Sequence, residues 1–163
     1  MRILGIDPGF GRVGWGVIEG GGRDWVHVAH GCIETDSKKS FVVRLENISD
    51  VLNTIIEKYK PTHSGVEELF FVKNVITGIQ VGQARGVILL SLIQAKIPIF
   101  EYTPSAIKLA VTGYGNADKR QVQKMIQMQL SLGDIPKPDD AADGLAVALT
   151  CGLVERLAGG DKL

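Results

Sequence analysis

The chain has 163 residues, a length that favours a single domain with a core of its own. It carries 18 basic and 18 acidic residues, and this zero formal net charge argues against a protein that coats nucleic acid by bulk charge. No apolar run approaches the length of a membrane span, so we expect no membrane partner. Two cysteines, Cys32 and Cys151, are too few for a disulfide framework and fit a reducing cytoplasm.

The predicted elements begin with a meander of three strands and then alternate. Short apolar segments bounded by Gly or Pro predict strands over residues 2–7, 13–18, 25–33, 64–71 and 98–102. Helical spacing and start signals predict helices over residues 41–59 and 75–96, a short helix from Pro104, and helices over 118–132 and 139–157. This order predicts an α/β fold with one five-stranded mixed sheet and helices on both faces.

Two carboxylates stand near the carboxyl ends of strands that we expect to be parallel neighbours. Asp7 ends the first strand just before Pro8, and Glu67 lies near the end of the fourth. A strand-end acid inside a fold costs free energy unless something positive meets it. Asp7 could instead cap the turn at Pro8, and this stretch alone does not decide between the two roles.

Three more acids open the last predicted helix. Asp140 and Asp143 are three residues apart and share a helical face, and Asp139 and Asp143 are four apart and would also share one. The positive end of the helix dipole is enough to explain Asp139 and Asp140. It explains Asp143 less well, because Asp143 lies among alanines and Leu145 on a surface that must pack.

Asp7, Glu67, Asp140 and Asp143 together need a positive counterpart, and no Lys or Arg is placed by the sequence to neutralise all four. A divalent metal would do so, and hard oxygen ligands favour magnesium or manganese over zinc. Two ions about 3.5–4 Å apart would support in-line displacement at a phosphodiester. His27 and His30 are three apart in a predicted strand and should face opposite sides, so we do not expect them to form a paired metal site.

Basic residues gather around the turn at Gly113. Four of them fall within 17 residues: Lys108, Lys119, Arg120 and Lys124. Lys119 and Arg120 lie at a helix start, which already favours anions, so phosphate contact is the functional interpretation and a solvated helix face the alternative. Phe70 and Phe71 follow Glu67, and adjacent residues of an extended segment point opposite ways, so one ring is expected near the site.

Six motifs resemble the RuvC family of Holliday junction resolvases, in family order over nearly the whole chain. They are Gly-Ile-Asp7-Pro-Gly, Val-Glu67-x-x-Phe70-x-x-Lys73-Asn74, Gly82-Gln-Ala-Arg85-Gly, Phe-Glu-Tyr102, Lys119-x-Gln-Val-Gln and Asp140-Ala-Ala-Asp143-Gly-Leu-Ala. The resemblance implies a single RNase H-like nuclease domain over residues 1–163 and a homodimer. It also implies that Asp7, Glu67, Asp140 and Asp143 are the catalytic metal ligands. Some members place a histidine at the position of Asp140, and by the same resemblance Asp139 is the helix cap.

The resemblance further implies the activity and its partners. It implies paired symmetric nicks in four-way DNA junctions, leaving ligatable 5′-phosphates, with two Mg²⁺ per active site and Mn²⁺ as a substitute. It places the enzyme in the cytoplasm, in recombination and repair, beside a branch-migration motor of the RuvA and RuvB type. By the resemblance Lys108 and Lys119 bind the DNA backbone, and Lys73 and Arg85 are further candidates. Together with Phe70, Arg120 and Lys124, which the residues themselves suggest, these are the expected DNA contacts.

The residues alone also allow two other functions. Gly-Ile-Asp-Pro-Gly followed by a glycine-rich hairpin also occurs in actin-like ATPases, where it holds phosphate. Those proteins need a second domain of similar size, which 163 residues do not provide. A non-catalytic junction-binding protein is the third possibility, but it leaves four convergent acids unexplained, because acids repel DNA.

Overall fold

The computed structural model describes residues 1–21, 24–68 and 74–159, with side chains up to residue 154. Within these ranges it contains five strands and five helices in the predicted order. The strands are β1 (Arg2–Asp7), β2 (Arg12–Gly21), β3 (Asp24–Glu34), β4 (His63–Glu67) and β5 (Ile99–Tyr102). The helices are α1 (Phe41–Tyr59), α2 (Val75–Gln94), α3 (Pro104–Thr112), α4 (Lys119–Gln129) and α5 (Asp139–Gly159).

The five strands form one mixed sheet in the order β3-β2-β1-β4-β5. β1, β2 and β3 are antiparallel neighbours, whereas β4 and β5 continue the sheet parallel to β1. Ile6 lies beside Val66 in the parallel pair, so the next residues of the two strands, Asp7 and Glu67, leave the sheet at the same edge. The predicted mixed sheet, with β4 parallel to β1, is confirmed.

Helices cover both faces of the sheet, as predicted. On one face α1 and α2 bury Ile48, Leu52 and Ile88 against β1, β2 and β4. On the other face α3, α4 and α5 form a second core that includes Ile126 and Leu149. Two apolar layers therefore fix the central strands from both sides, which gives their carboxyl ends a rigid support.

Glycines let α5 lie directly on the backbone of β1 and β2. A Cβ on Gly5 of β1 would stand 2.1 Å from the Ala148 nitrogen, and a Cβ on Gly14 of β2 would stand 1.8 Å from the Asp140 carbonyl oxygen. A Cβ on Gly144 of α5 would likewise stand 2.5 Å from backbone atoms of Trp15. This contact holds the first turn of α5, with its acids, beside the end of β1.

The prediction that His27 and His30 face opposite sides is wrong. The β2–β3 pairing shifts between Val17 and Ile18, which face Ala29 and His27, so Val28 is an extra residue in β3. Such a bulge resets the alternation of side chains. The two rings therefore meet on one face, with His27 Nε2 2.7 Å from His30 Nδ1.

The pair should make stability depend on pH. Burial lowers the pKa of both histidines below 6.5, and the charge of His30 lowers the pKa of His27 further. The unfolded chain therefore takes up these protons at a higher pH than the folded chain. The stabilisation is present above about pH 6.5 and is lost as the pH falls through the lower folded pKa values. We expect His30→Asn to flatten this loss in urea unfolding between pH 7.5 and 5.

The matched control is His63→Asn, which changes a histidine outside the pair and should leave the pH dependence as it is. An unchanged slope in His30→Asn would contradict the assignment of the acid-side loss to this pair.

Among the helices in the described ranges, α2 has the length and apolar composition of a membrane span. This differs from the expectation that no apolar segment approaches that length. One face of α2 packs on the sheet side through Ala84, Ile88 and Leu92, and most of the helix is not buried. A core helix of a globular domain passes the same length and composition test. The exposed face of α2 therefore needs an explanation of its own.

Candidate active site

Asp7 and Glu67 lie side by side because they end the adjacent parallel strands β1 and β4. Their side chains share a hydrogen bond, which the protonated Asp7 carboxyl donates to the Glu67 carboxylate. Burial raises the pKa of Asp7 to about 8, and the nearby charges of Glu67, Asp143 and Asp140 contribute to this rise. Burial also raises the pKa of Glu67. This edge of the sheet therefore holds more negative charge than the surrounding protein compensates.

Asp143 approaches the strand ends from the first turns of α5. Burial raises its pKa, although the Lys119 ammonium, 3.2 Å from Asp143 Oδ2, works in the opposite direction. The same ammonium lies 3.5 Å from Asp139 Oδ2. Burial opposes the charge on Lys119, but these two carboxylates raise its pKa. Lys119, the first residue of α4, is thus held over the acid cluster by these two ion pairs.

The assignment of Asp139 as the cap of the last helix is wrong in detail. α5 begins at Asp139 itself, so this residue belongs to the first helical turn. Its side chain is exposed and pairs with Lys119 at the rim of the site. The electrostatic benefit of an acid at the positive end of a helix still applies to this position.

Arg12 is a neighbour of the site that the sequence analysis did not identify. Its guanidinium lies 3.4 Å from Asp140 Oδ2 through Nη1 and 3.0 Å from Glu34 Oε1 through Nη2. The signal was present in the predicted hairpin, because a strand that folds back after Asp7 begins at the same end of the sheet. What the sequence did not supply was the register that puts Arg12 opposite Glu34.

A cavity of about 290 Å³ opens between the strand ends and the helices α3, α4 and α5. Asp7, Glu67 and Asp143 line it together with Lys108 and Lys119. The positive charge of Lys108 acts to lower the pKa of Glu67, although burial outweighs it. Two predicted phosphate-binding lysines therefore share one cavity with three of the four predicted acids, and Asp140 lies beside it on the Arg12 side.

Three other predicted DNA contacts, Arg85, Arg120 and Lys124, do not line this cavity. Arg120 is exposed in the first turn of α4, whereas Lys124 lines a separate cavity with Tyr114 and Met128. Arg85 is mostly buried, pairs with Glu101, and donates through Nε to the Glu67 carbonyl oxygen at 3.3 Å. Its side chain is therefore engaged inside the protein, where it braces the end of β4.

Phe70 and Lys73 lie outside the described residues, as does Phe71. The predictions that Phe70 and Lys73 contact DNA therefore stay predictions.

The acid cluster fits a divalent metal by its chemistry. Its donors are carboxylate oxygens from β1, β4 and α5, the ligand type that Mg²⁺ and Mn²⁺ prefer. Burial, and after it the charges of the neighbouring acids, raises the pKa of Asp7, and a bound cation would offset both effects. In the part of the chain that the structure describes, no three His, Cys, Asp or Glu side chains are already arranged to hold a metal ion. The acids of α5 are instead paired with Lys119 and Arg12.

Comparison with known proteins identifies the family. A family model described as "Crossover junction endodeoxyribonuclease RuvC" matches residues 3–151. The chain belongs to the RuvC family. A curated RuvC from Petrotoga mobilis is 53% identical over 156 residues, covering 96% of each chain, and one from Heliobacterium modesticaldum is 52% identical over 151 residues, covering 93% of each.

A solved structure supports the same assignment. The RuvC of Thermus thermophilus in complex with a Holliday junction substrate superposes with a TM-score of 0.92 at 30% identity, covering 97% of this chain and 96% of that one. The predicted RNase H-like fold is therefore confirmed. Members of the RuvC family are junction-cleaving nucleases that depend on divalent metal, and this membership excludes the actin-like alternative.

Proposed function

We propose that this RuvC-family protein is a magnesium-dependent nuclease that resolves four-way DNA junctions by paired symmetric nicks as a homodimer. The observation that carries the proposal is the convergence of Asp7, Glu67 and Asp143 on one cavity, with Asp140 beside it. Such a concentration of acid beside two lysines suits a site where metal and a phosphodiester meet. The junction bound by the Thermus relative is the substrate that we carry over to this chain.

The four acids would hold two Mg²⁺, for which Mn²⁺ would substitute. Bound there, the ions supply Lewis-acid stabilisation of the phosphodiester and a more acidic water as nucleophile. Asp7 and Glu67 fix this position most rigidly, because each ends a central strand. Asp143 and Asp140 approach from α5. Their ion pairs with Lys119 and Arg12 must open before these two acids can bind metal.

Lys108 and Lys119 are placed to receive the DNA backbone. Both line the cavity that contains the acids, and Lys119 lies in the first turn of α4, where the helix dipole also favours a phosphate. Asp118 and Gln121 form a capping box that fixes this turn. A lysine released from Asp143 would then lie within reach of a phosphate, and Arg120 extends the same basic turn toward solvent.

The proposal is tested with a synthetic four-way junction and a linear duplex of the same sequence, each incubated with protein and Mg²⁺. We expect symmetric nicks with 5′-phosphate ends in the junction, little cleavage of the duplex and no dependence on ATP. Junction binding without any cleavage in Mg²⁺ or Mn²⁺ would instead show a non-catalytic junction-binding protein. Calorimetric titration with Mn²⁺ counts the ions, and one ion per chain would contradict the two-metal proposal.

The exposed face of α2 supports the homodimer. Its outward positions recur at alternating spacings of three and four residues, the pattern of a helix that packs along another helix. We call this stripe the α2 seam, and it consists of Ile76, Ile79, Gln83, Gly86, Leu90 and Ile93. Ile79, Leu90 and Ile93 are each more than half exposed in the single chain. A second copy of the chain would remove these side chains from water.

Leu90→Glu is expected to shift the protein toward monomers in sedimentation velocity, because it places a charge in the middle of the α2 seam. Melting of the monomer should change little, since Leu90 is 55% exposed. Leu109→Glu is the matched control, because Leu109 is equally exposed, at 56%, but lies on α3. A Leu90→Glu variant that remains fully dimeric would show that the α2 seam is not the interface.

Family membership supports the remaining parts of the proposal, which are a single nuclease domain, a cytoplasmic location and action beside a branch-migration motor of the RuvA and RuvB type. Adding such a motor to the junction assay should raise cleavage by this protein.

A further inference from the structure

Arg12 reaches the acid cluster because of where the β1–β2 hairpin places it. Gly14 lies opposite Asp7 in the hairpin and directly against the Asp140 carbonyl oxygen. Arg12 is two residues before Gly14, so it shares that face of β2 and extends past the first turn of α5. Its register partner on β3 is Glu34, the last residue of that strand.

The guanidinium bridges two acids of different kinds. Asp140, in the site, has 27% of its side chain exposed, whereas Glu34 has 59% exposed and faces solvent. The Arg12 side chain is 56% exposed, so no packing locks it in this position. Arg12 can therefore leave Asp140 without disturbing the core, and its guanidinium can keep its ion pair with Glu34.

Asp140 has no other cation within ion-pairing distance in the described part of the chain. A metal ion that binds Asp140 must therefore compete with the Arg12 guanidinium for the same carboxylate. Because Lys119 pairs with Asp143 and Asp139, removing Arg12 leaves those two acids paired, and outside the acid cluster it unpairs Glu34.

We propose that Arg12 is a displaceable counterion that sets the metal concentration at which the acid cluster fills, with Glu34 holding the guanidinium when metal takes its place. Arg12 is a positioning residue in this role, because it acts through Asp140 and not on the substrate. The inference rests on the proposed function only in assuming that Asp140 takes part in holding a divalent ion.

The first test is calorimetric titration of the DNA-free protein with Mn²⁺. Arg12→Gln should bind Mn²⁺ about twofold to fivefold more tightly than the parent, the range expected for a partly exposed ion pair of up to about 1 kcal/mol. The Mg²⁺ concentration for half-maximal junction cleavage should fall by a similar factor. The melting temperature without metal checks that the variant is folded. Equal or weaker Mn²⁺ binding by a folded Arg12→Gln variant would overturn the proposal.

Arg2→Gln is the matched control. Arg2 pairs with Glu19 at 2.9 Å, at the opposite end of the same hairpin. Its loss removes the same charge far from Asp140 and should leave Mn²⁺ binding unchanged. If both variants tighten Mn²⁺ binding equally, the effect comes from total charge and the proposal fails.

Glu34→Gln tests the retaining role. Without Glu34 the guanidinium is left to Asp140, so Mn²⁺ binding should weaken, and in an Arg12→Gln background the same change should have little effect. An equal effect in both backgrounds would show that Glu34 acts only through its own charge. A parent protein that binds no Mn²⁺ would refute the metal site itself, an outcome distinct from failure of the Arg12 proposal.

Discussion

Asp7→Asn is expected to abolish junction cleavage while the fold and junction binding persist. The change keeps the shape of the side chain and removes the charge that the end of β1 delivers to the cavity. We expect a loss on the order of a thousandfold, which corresponds to about 4 kcal/mol of transition-state stabilisation. Without metal, binding to the junction should tighten above about pH 8, where Asp7 of the parent is charged and Asn is not. Cleavage near the parental rate would remove Asp7 from the catalytic site.

The same variant should melt at a higher temperature than the metal-free parent at pH 8. The pKa of Asp7 is raised from 3.8 to about 8, so the folded state keeps a proton that the unfolded state releases above about pH 4. The stability contributed by this proton is fully present below that pH and is lost as the pH rises through about 8. Asn carries no such charge, so the melting curves should converge near pH 4 and separate by several degrees at pH 8.

Asp50→Asn is the matched control for both measurements. Asp50 is an exposed acid of α1, and the same chemical change there should alter neither cleavage nor the pH dependence of melting. Adding Mg²⁺ should stabilise the parent more than Asp7→Asn, since metal relieves the repulsion that the variant has already lost.

Gly5→Ala is expected to be strongly destabilising, although it adds only one methyl group to the sheet. The new Cβ would meet the Ala148 nitrogen at 2.1 Å and the Gly144 oxygen at 2.3 Å, and both are backbone atoms of α5 that cannot turn away. The helix would have to lift from the sheet, at a cost of about 3 kcal/mol or more. In a domain of this size that corresponds to roughly 10 °C in thermal denaturation followed by circular dichroism.

Gly133→Ala is the control, because a Cβ at Gly133, between α4 and α5, would have no neighbour within 4 Å. Its melting temperature should remain within about 2 °C of the parent. A Gly5→Ala protein that melts equally close to the parent would mean that α5 does not rest on the β1 backbone.

The sequence predicted the framework of the site because its signals are local. Asp7 and Glu67 end apolar strands, and Asp143 stands out on a packing surface, so each could be recognised from its neighbours alone. The parallel pairing of β1 and β4 then brings the two strand-end acids together.

The remaining features depend on register, which the alternation of residue types does not specify. One extra residue in β3 brought His27 and His30 onto the same face. The same pairing placed Arg12 opposite Glu34. Arg85 differs for another reason, because tertiary packing turned a basic residue inward to Glu101 and the Glu67 carbonyl oxygen.

The distribution of the four acids along the chain also has a consequence during synthesis. β1 and β4 emerge from the ribosome early, but Asp140 and Asp143 are made only with α5. This helix packs on β1 and β2, from which it is separated by most of the sequence. A nascent or truncated chain that ends before α5 therefore has two of the four acids and lacks the helix that closes the cavity. Cleavage competence should appear only once α5 is made and docked, so incomplete chains are not stray nucleases.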